Sequence, residues 1–436
     1  EAPSLRALVA ALNAERAPAA HRTLSPGGEG APTAAPGVGV ALTDSQRTFV
    51  VQSRFYPDIP GSVFLSMSVD PPLLEATVSR RLALAAERHE VLRSVVRGDR
   101  LVPNDVRPVL DWGPVDESRL RSLSFDLGQG PLVHVACDGS RLALVAHHAV
   151  LDAWSLKNLA EALLRGDEPS AGPDWVAVSP LAAAAGEAGD YAATFADGVP
   201  RLPLGHGAEP SGPAGMVHTS VVLGPLETQA RALGVTLPAL VLAAYARRLY
   251  AVTGQHDVVI RVAHGRRPHR VPGVASLLGP FADSLPVRLL ADAPLAEVAQ
   301  RAHAALRALP DASSASLAGL QRGDAPTGLT PAGFSFPLLG ANTGETRVSG
   351  LRAAAANGFT GLGLVAWAHE GQLQLSWNFL HSSLGEPEVM RIAGELFAEP
   401  DPPASLHAAV LAVARAYPEV EAVPGLRYAV LARRSA

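Results

Sequence analysis

Residues 142–164, LALVAHHAVLDAWSLKNLAEALL, combine a short apolar run, two adjacent histidines, an aspartate and an amphipathic segment. The run Leu142–Ala146 is wholly apolar and bounded by polar residues, which is typical of a strand buried on both faces. Leucine and alanine then recur at helical spacing, which predicts a helix that begins near Asp152 or Ser155. The pattern therefore places both histidines where a buried strand gives way to a helix.

A hairpin is predicted just before this strand. Asp138-Gly139-Ser140 separates it from another apolar run, LVHVAC (132–137), and Asp-Gly between apolar runs is a strong hairpin signal. The sequence thus predicts an antiparallel pair of strands that leads into the two histidines.

The two histidines are expected to have different roles. Adjacent residues on a strand point to opposite faces, so His147 and His148 cannot both enter one pocket while the strand geometry holds. No third ligand follows at a metal-like spacing, which argues against a metal site. One histidine is therefore expected to be functional and the other to pack, and periodicity alone does not say which one faces a cavity.

The composition is that of a folded protein with a sizeable core. The chain has 436 residues, of which 48% are hydrophobic and 5% aromatic, and this length fits about two to three average domains. The net charge of -5 gives no reason to expect nucleic acid as a partner. A single cysteine, Cys137, excludes an internal disulfide and a thiolate metal cluster. No run has the length of a membrane span and the start has no export signal, so we expect a soluble, cytoplasmic protein.

Two linker-like segments divide the chain. Residues 1–40 contain a short helical pattern followed by a Pro/Gly/Ala-rich stretch, and residues 198–216 form a second such stretch. Alternating strand-like and helical patterns fill 41–197 and 217–400, and residues 401–436 follow as an extension. Two halves of similar length predict two mixed α/β lobes with a cleft between them, which is a preferred place for a ligand site.

The segment HHAVLDAWS (147–155) resembles the HHxxxDGWS motif of the condensation domains of nonribosomal peptide synthetases. These domains belong to a superfamily similar to chloramphenicol acetyltransferase. A short motif alone is weak, but further matches follow in order and cover about residues 41–399. They are LTDSQRTFV (42–50), ERHEVLRSVV (87–96), DYAATF (190–195), HDVVIRVAHGRRP (256–268), LLGPFADSLPVRL (277–289) and GQLQLSWNFL (371–380).

The resemblance implies a fold and an activity. The fold is α/β, with two chloramphenicol acetyltransferase-like lobes that form a V-shaped pseudo-dimer and an active site in a tunnel between them. The implied reaction transfers an acyl group from the phosphopantetheine thioester of a carrier protein to an amine or alcohol, forming an amide or ester. The implied partners are peptidyl or acyl carrier proteins on the donor and acceptor sides, or a small soluble nucleophile. No tightly bound cofactor, metal, nucleic acid or membrane is expected, because the carrier protein delivers the phosphopantetheine arm.

The resemblance also implies roles for the two histidines. It makes His148 the catalytic residue that lines the tunnel, either as a base for the proton that an attacking amine loses or as a group that positions the nucleophile. Without the resemblance, a buried strand-end histidine held by a backbone partner would be the simpler interpretation. His147 is expected to be structural and to hold the loop by a hydrogen bond.

The residues after the histidines have mainly architectural interpretations. Asp152 either caps the helix or, as the resemblance implies, pairs with an arginine, for which Arg288 is the predicted partner. Ala153 replaces the glycine of the motif and adds a methyl group where glycine would give room or conformational freedom. Trp154 and Ser155 are candidates for the tunnel wall or the loop, with packing beneath the helix preferred for Trp154. The basic run HGRRPHR (264–270) is interpreted as a contact for a carrier protein or its phosphate, or as a solvated turn.

Three alternatives to condensation remain open. A non-catalytic condensation-like domain that recruits a carrier protein or tailoring enzyme is favoured by Ala153 and by weak matches to the later motifs. An epimerisation domain shares the histidine motif, but WSLKNLAEAL (154–163) fits condensation better. A standalone acyltransferase that uses coenzyme A commonly carries a DFGWG-like motif, which the sequence lacks.

Overall fold

A computed structural model describes most of the region between residues 39 and 399, together with two short pieces beyond it. The predicted N-terminal helix lies outside the described residues, as does most of the predicted 401–436 extension. The described residues are 39–165, 174–183, 189–195, 197–200, 202–204, 214–267, 271–310, 331–339, 345–356, 360–399, 421–423 and 426–427.

The described residues form sixteen strands, nine α-helices and three short 3-10 segments. The strands are β1 (Val40–Ala41), β2 (Ser62–Asp70), β3 (Ser94–Arg97), β4 (Arg100–Pro103), β5 (Val109–Trp112), β6 (Val133–Cys137), β7 (Arg141–His147), β8 (Ala214–Val222), β9 (Asp257–Gly265), β10 (Ala282–Leu290), β11 (Ala332–Ser335), β12 (Arg347–Ala356), β13 (Leu362–His369), β14 (Gln372–Leu380), β15 (Glu421–Val423) and β16 (Leu426–Arg427). The helices are α1 (Asp44–Phe55), α2 (Glu75–Arg88), α3 (Glu117–Arg121), α4 (Ala153–Arg165), α5 (Trp175–Ala183), α6 (Leu223–Ala232), α7 (Leu237–Thr253), α8 (Leu295–Arg307) and α9 (Glu386–Gly394). The 3-10 segments are Glu90–Arg93, Gly189–Phe195 and Val274–Ser276.

The first lobe is built on a five-stranded sheet with the order β12-β2-β7-β6-β5. At its centre, β6 and β7 form the predicted hairpin, with Val135 opposite Leu144. The carboxylate of Asp138 closes the turn by accepting the backbone N–H groups of Ser140 at 2.9 Å and Arg141 at 2.8 Å. Gly139 adopts a φ of +94°, which favours glycine. The run 142–146 is completely buried, because sheet neighbours flank it and α4 covers it.

The second lobe is built on a six-stranded sheet with the order β10-β9-β11-β13-β14-β8. Its core helix α7 is buried along most of its length, which explains why its sequence is apolar on nearly every face. The helix ends at Gly254, whose φ of +71° provides the left-handed turn that stops it. Two mixed α/β lobes are therefore present, as the sequence predicts.

Strand β12 crosses from the second half of the chain to the first lobe. It pairs antiparallel with β2, where Ala354 lies opposite Phe64 and Ala355 opposite Val63. This crossing departs from the predicted division, which assigned all of residues 217–400 to the second lobe. The sequence pattern indicates a strand at this position, but it does not specify which sheet receives the strand.

The two lobes share apolar packing. Leu277, Leu278 and Phe281, from the segment before β10, pack into the same cluster as the buried residues of α4 in the first lobe. Helix α4 and this second-lobe segment are therefore held as one packed unit.

Within the described residues, no single helix has the length and apolar character needed to cross a membrane. The pair α6 and α7 meets those criteria only when taken together, and the two helices are bent by 97° relative to each other.

Candidate active site

A cavity of about 170 Å³ lies between the two lobes. Its first-lobe wall includes Phe49 of α1 and His148, which follows β7. Its second-lobe wall includes Arg261, Asp283 and Asn378. The cavity has the location that the two-lobed pattern predicts for a ligand site.

His148 lies in the turn after β7 and is partly exposed to the cavity. Its backbone N–H donates to the carbonyl of Gly61 at 3.0 Å, and its ring stacks on Phe49 with centroids 4.3 Å apart and an interplanar angle of 13°. Burial lowers the pKa of His148 to about 4, and the negative charge of Asp152 opposes that shift. The imidazole is therefore neutral at neutral pH, with one nitrogen able to accept a hydrogen bond.

His147 is completely buried on the other side of the strand end. Its Nδ1 accepts the backbone N–H of Ala149 at 3.1 Å, so the ring proton is on Nε2. Nε2 then donates to the hydroxyl of Ser53 at 2.9 Å, and that hydroxyl donates to the carbonyl of Phe49 at 3.0 Å. Burial, with a smaller effect of His148, lowers the pKa of His147 to about 3. The structure thus places His147 as a neutral link between the loop and α1.

One face of α1 holds the histidine loop. Gln46 donates to the carbonyl of Ala149 at 2.7 Å, Phe49 stacks on His148 and Ser53 binds His147. Positions 46, 49 and 53 are three and four residues apart, which places them on the same side of a helix. The sequence analysis did not assign these three residues to the site. The available signal was the helical spacing of two polar residues and one aromatic residue, which places them on one side of a helix.

Asp152 is buried and uses both carboxylate oxygens. Oδ1 accepts the backbone N–H of Ser155 at 2.7 Å, which makes Asp152 the cap of α4, and it lies 3.4 Å from a guanidinium nitrogen of Arg267. Oδ2 accepts the backbone N–H groups of Phe281 and Ala282, each at 3.1 Å. Both interpretations of Asp152 therefore apply, and the carboxylate also binds the second lobe directly.

The prediction that Arg288 pairs with Asp152 is wrong. Arg288 forms ion pairs with Asp257 and Asp197, each at 2.6 Å, and those hydrogen bonds raise its pKa. The physical reason is distance along a strand: Asp152 binds at Ala282, and Arg288 lies six residues farther along β10. At about 3.3 Å per residue, the two positions are about 20 Å apart.

Arg267 is the arginine that sequence reasoning missed. It belongs to the basic run 264–270, for which the sequence suggested a carrier contact or a solvated turn, but its side chain is buried. It donates to the hydroxyl of Ser155 at 2.8 Å and to the carbonyls of Val274 at 2.9 Å and Leu277 at 2.8 Å. Burial lowers the pKa of Arg267 and Asp152 opposes that shift. This arginine joins α4 to the second lobe.

Of the three residues after Asp152, one lines the cavity and two contact the second lobe. Ala153 begins α4 and lines the cavity. Among the described residues, Glu370 is the only non-glycine with positive φ, so alanine causes no backbone strain at position 153. Trp154 donates to the carbonyl of Ala275 at 2.8 Å, and the buried hydroxyl of Ser155 donates to the carbonyl of Gly279 at 2.6 Å. Trp154 and Ser155 therefore join the lobes, and only Ala153 lies on the cavity wall.

The chain is similar in sequence to segments of large peptide synthetases. No protein-family model matches it. It is 33% identical over 223 residues to the AMB antimetabolite synthetase AmbE of Pseudomonas aeruginosa, an alignment that covers 45% of this chain and 10% of that protein. It is 28% identical over 281 residues to malpinin synthetase of Mortierella alpina, covering 53% of this chain and 4% of that protein. The chain thus spans about a tenth or less of the curated relatives it matches.

Solved structures with the same fold include condensation and epimerization domains. The starter condensation domain of rhizomide synthetase RzmA matches with a TM-score of 0.68 and 16% identity, covering 86% of this chain and 95% of that one. The first condensation domain of the calcium-dependent antibiotic synthetase matches with a TM-score of 0.67 and 19% identity, covering 88% and 99%. The epimerization domain from the third module of tyrocidine synthetase B matches with a TM-score of 0.63 and 19% identity, covering 84% and 96%. These similarities confirm the predicted mixed α/β fold and the resemblance to condensation domains; the tunnel stays a prediction.

Proposed function

We propose that this chain catalyses condensation, in which an acyl group passes from a carrier-protein phosphopantetheine thioester to an amine or alcohol. The observation that carries this proposal is the cavity between the lobes, where His148 shares the walls with residues of both sheets. The condensation-domain fold and the similarity to peptide synthetases support it.

In this reaction the nucleophile attacks the thioester carbonyl, the carbon–sulfur bond breaks and the nucleophile loses a proton. The thiol leaves and carries one proton, so the products are an amide or ester and a free thiol. His148 is neutral and accepts a hydrogen bond from the attacking N–H or O–H group. A pKa of about 4 makes it a weak base, which favours positioning of the nucleophile over complete proton removal before attack.

The other residues of the motif act through His148. His147 fixes the loop through Ser53, and Asp152 fixes it through α4 and the second lobe. Both are positioning residues in this proposal, since the hydrogen bonds of their side chains go to the protein itself. Ala153 is a wall residue whose methyl group limits the space beside His148.

The proposed partners are peptidyl or acyl carrier proteins, with a small soluble nucleophile as an alternative acceptor. The phosphopantetheine arm arrives as part of the substrate and supplies the thioester. Within the described residues, no group of three or more His, Cys, Asp or Glu side chains is arranged to hold a metal ion. The cytoplasmic location stays a prediction.

A turnover assay by mass spectrometry tests the proposal. Carrier protein loaded with a panel of acyl groups is mixed with aminoacyl carriers, free amines and alcohols, using wild type, His148→Ala and His256→Ala. His256 is exposed and outside the cavity, so its variant controls for loss of a histidine. We expect product from wild type and His256→Ala and at least about tenfold less from His148→Ala. Equal rates from all three proteins would remove His148 from the mechanism.

The same assay separates the alternatives. The epimerization-domain match makes epimerisation the second candidate, and solvent deuterium in a recovered aminoacyl group would support it over condensation. Carrier binding that persists in His148→Ala, with no product from any substrate, would favour a recruitment role. Product formed from acyl-coenzyme A and a soluble acceptor, and not from carrier thioesters, would indicate a standalone acyltransferase.

A further inference from the structure

A single row of residues crosses the second-lobe sheet beneath the cavity. In register, Arg261 of β9 lies beside Gly333 of β11, Gly333 lies beside Gly363 of β13, and Gly363 lies opposite Asn378 of β14. All four line the cavity. A Cβ atom at either glycine would lie 3.1–3.2 Å from a methyl carbon of Thr360, so larger residues would crowd this floor. The row is therefore polar at both ends, and the methyl group of Thr360 packs over the two glycines in its middle.

Arg261 places a positive charge in this cavity. Its Nε and one terminal nitrogen donate to the hydroxyl of Ser284 at 3.3 Å and 2.9 Å. That hydroxyl accepts from two guanidinium nitrogens and so helps to fix the plane of the guanidinium. Burial lowers the pKa of Arg261, and the negative charge of Asp283 opposes that shift. Among the described lining residues, Arg261 is the only arginine or lysine and Asp283 the only carboxylate.

Arg261 and His148, the proposed catalytic residue, line the same cavity. The phosphate of a phosphopantetheine arm is separated from its thioester by the whole pantetheine chain. A negative group that meets Arg261 in this cavity while the thioester is at His148 therefore belongs to one of the reacting groups and not to the phosphate.

We propose that Arg261, oriented by Ser284, recognises a carboxylate on a substrate of this site. The proposal rests on the proposed function, and it adds a substrate class. A planar guanidinium binds a carboxylate through two parallel hydrogen bonds, and burial strengthens that attraction. Three kinds of substrate carry such a carboxylate: a free amino acid acceptor, an acidic aminoacyl acceptor and an acidic acyl donor.

Matched pairs of probes distinguish these sources in binding experiments. Glycine and glycinamide test the free amino acid, and glutamyl- and glutaminyl-pantetheine test the acidic acceptor. Glutaryl- and glutaramoyl-pantetheine test the acidic donor. The pantetheine probes carry an amide in place of the thioester, so that they do not react. Isothermal titration calorimetry gives the dissociation constant of each probe for the full chain.

We expect the carboxylate member of at least one pair to bind about tenfold or more tightly than its neutral partner. Arg261→Met brings that ratio close to one, and Arg261→Lys keeps part of it because the charge remains without the planar fork. Arg301→Met, in which an exposed arginine of α8 is changed, keeps the ratio. The comparison of Lys with wild type tests the proposal even if the Met variant does not fold.

A ratio near one for all three pairs in wild type would overturn the proposal, as would a ratio that persists in Arg261→Met. The outcome is independent of turnover. A carboxylate preference lost in Arg261→Met supports the inference even when no condensation product is found, in which case only the proposed function fails. If condensation product forms but no probe pair shows a carboxylate preference, the proposed function stands and the inference about Arg261 fails.

Discussion

The imidazole of His148 stacks on the ring of Phe49, with centroids 4.3 Å apart and planes inclined by 13°. This stack covers one face of the imidazole with an apolar ring and leaves the residue partly exposed to the cavity. The loss of water around the ring penalises the charged form, which explains the low pKa of His148. The relationship connects a residue of α1 to the protonation state of the proposed catalytic group.

The first prediction concerns the pH dependence of condensation. A lowered histidine pKa means that the neutral form persists as pH falls and is lost only near pH 4. With an alcohol acceptor, which does not titrate in this range, we therefore expect kcat/KM to keep its value through pH 6.5, the unperturbed histidine pKa, and to decline near pH 4. Phe49→Leu admits water, raises the pKa of His148 towards 6.5 and moves this decline to higher pH.

Both the rate profile and an NMR titration of the His148 ring check this expectation. The titration gives the pKa even when no substrate is turned over. A decline near pH 6.5 in wild type, unchanged in Phe49→Leu, would contradict the proposed effect of the stack.

The second prediction concerns the hydrogen bond between His147 and Ser53. Ser53→Ala leaves the buried Nε2–H group of His147 without its acceptor, which costs about 1–3 kcal/mol in the free energy of unfolding. Urea denaturation at pH 7.5 measures this loss, because the histidine is neutral in both folded and unfolded states at that pH. Ser79→Ala, at an exposed position of α2, serves as the control, with a change within about 0.5 kcal/mol. If Ser53→Ala lowers the free energy of unfolding by no more than the control does, the hydrogen bond contributes little to stability.

The third prediction separates the observed arginine partner from the one expected from sequence. Asp152→Asn leaves the buried guanidinium of Arg267 without its negative partner, and we expect a cost of about 3–5 kcal/mol in the free energy of unfolding. A double-mutant cycle with Arg267→Met should give a coupling energy of about 0.5–3 kcal/mol. The same cycle with Arg288→Met should be additive within about 0.5 kcal/mol, because Arg288 pairs with Asp257 and Asp197. Coupling of Asp152 to Arg288 that exceeds its coupling to Arg267 would contradict the structure.

Sequence reasoning reached the local structure of the histidine segment and missed its distant partners. The hairpin at Asp138, the buried strand and the start of α4 follow from turn chemistry and periodicity, which act over a few residues. The pairing of Asp152 with Arg267 joins residues 115 positions apart in the chain, and no local pattern ranks Arg267 above Arg288. The same limit applies to β12, since alternation does not identify its sheet. The contacts between lobes therefore required the structure.

The last prediction concerns Ala153, where the motif has glycine. Its side chain faces the cavity and its φ is not positive, so the methyl group affects space and not backbone strain. Ala153→Leu fills space beside His148, and we expect kcat/KM to fall by about tenfold or more. The free energy of unfolding should change by less than about 1.5 kcal/mol, because the added carbons enter the cavity and not the packed core. Ala153→Gly enlarges the space and should extend turnover to bulkier acceptors, at a cost of up to about 1 kcal/mol for glycine in the first turn of α4. Ala76→Leu, at an exposed position of α2, is the matched control for the added carbons and should leave kcat/KM unchanged. Full activity in Ala153→Leu across small and large acceptors would show that neither substrate passes this wall, and it would place the reaction elsewhere in the cavity.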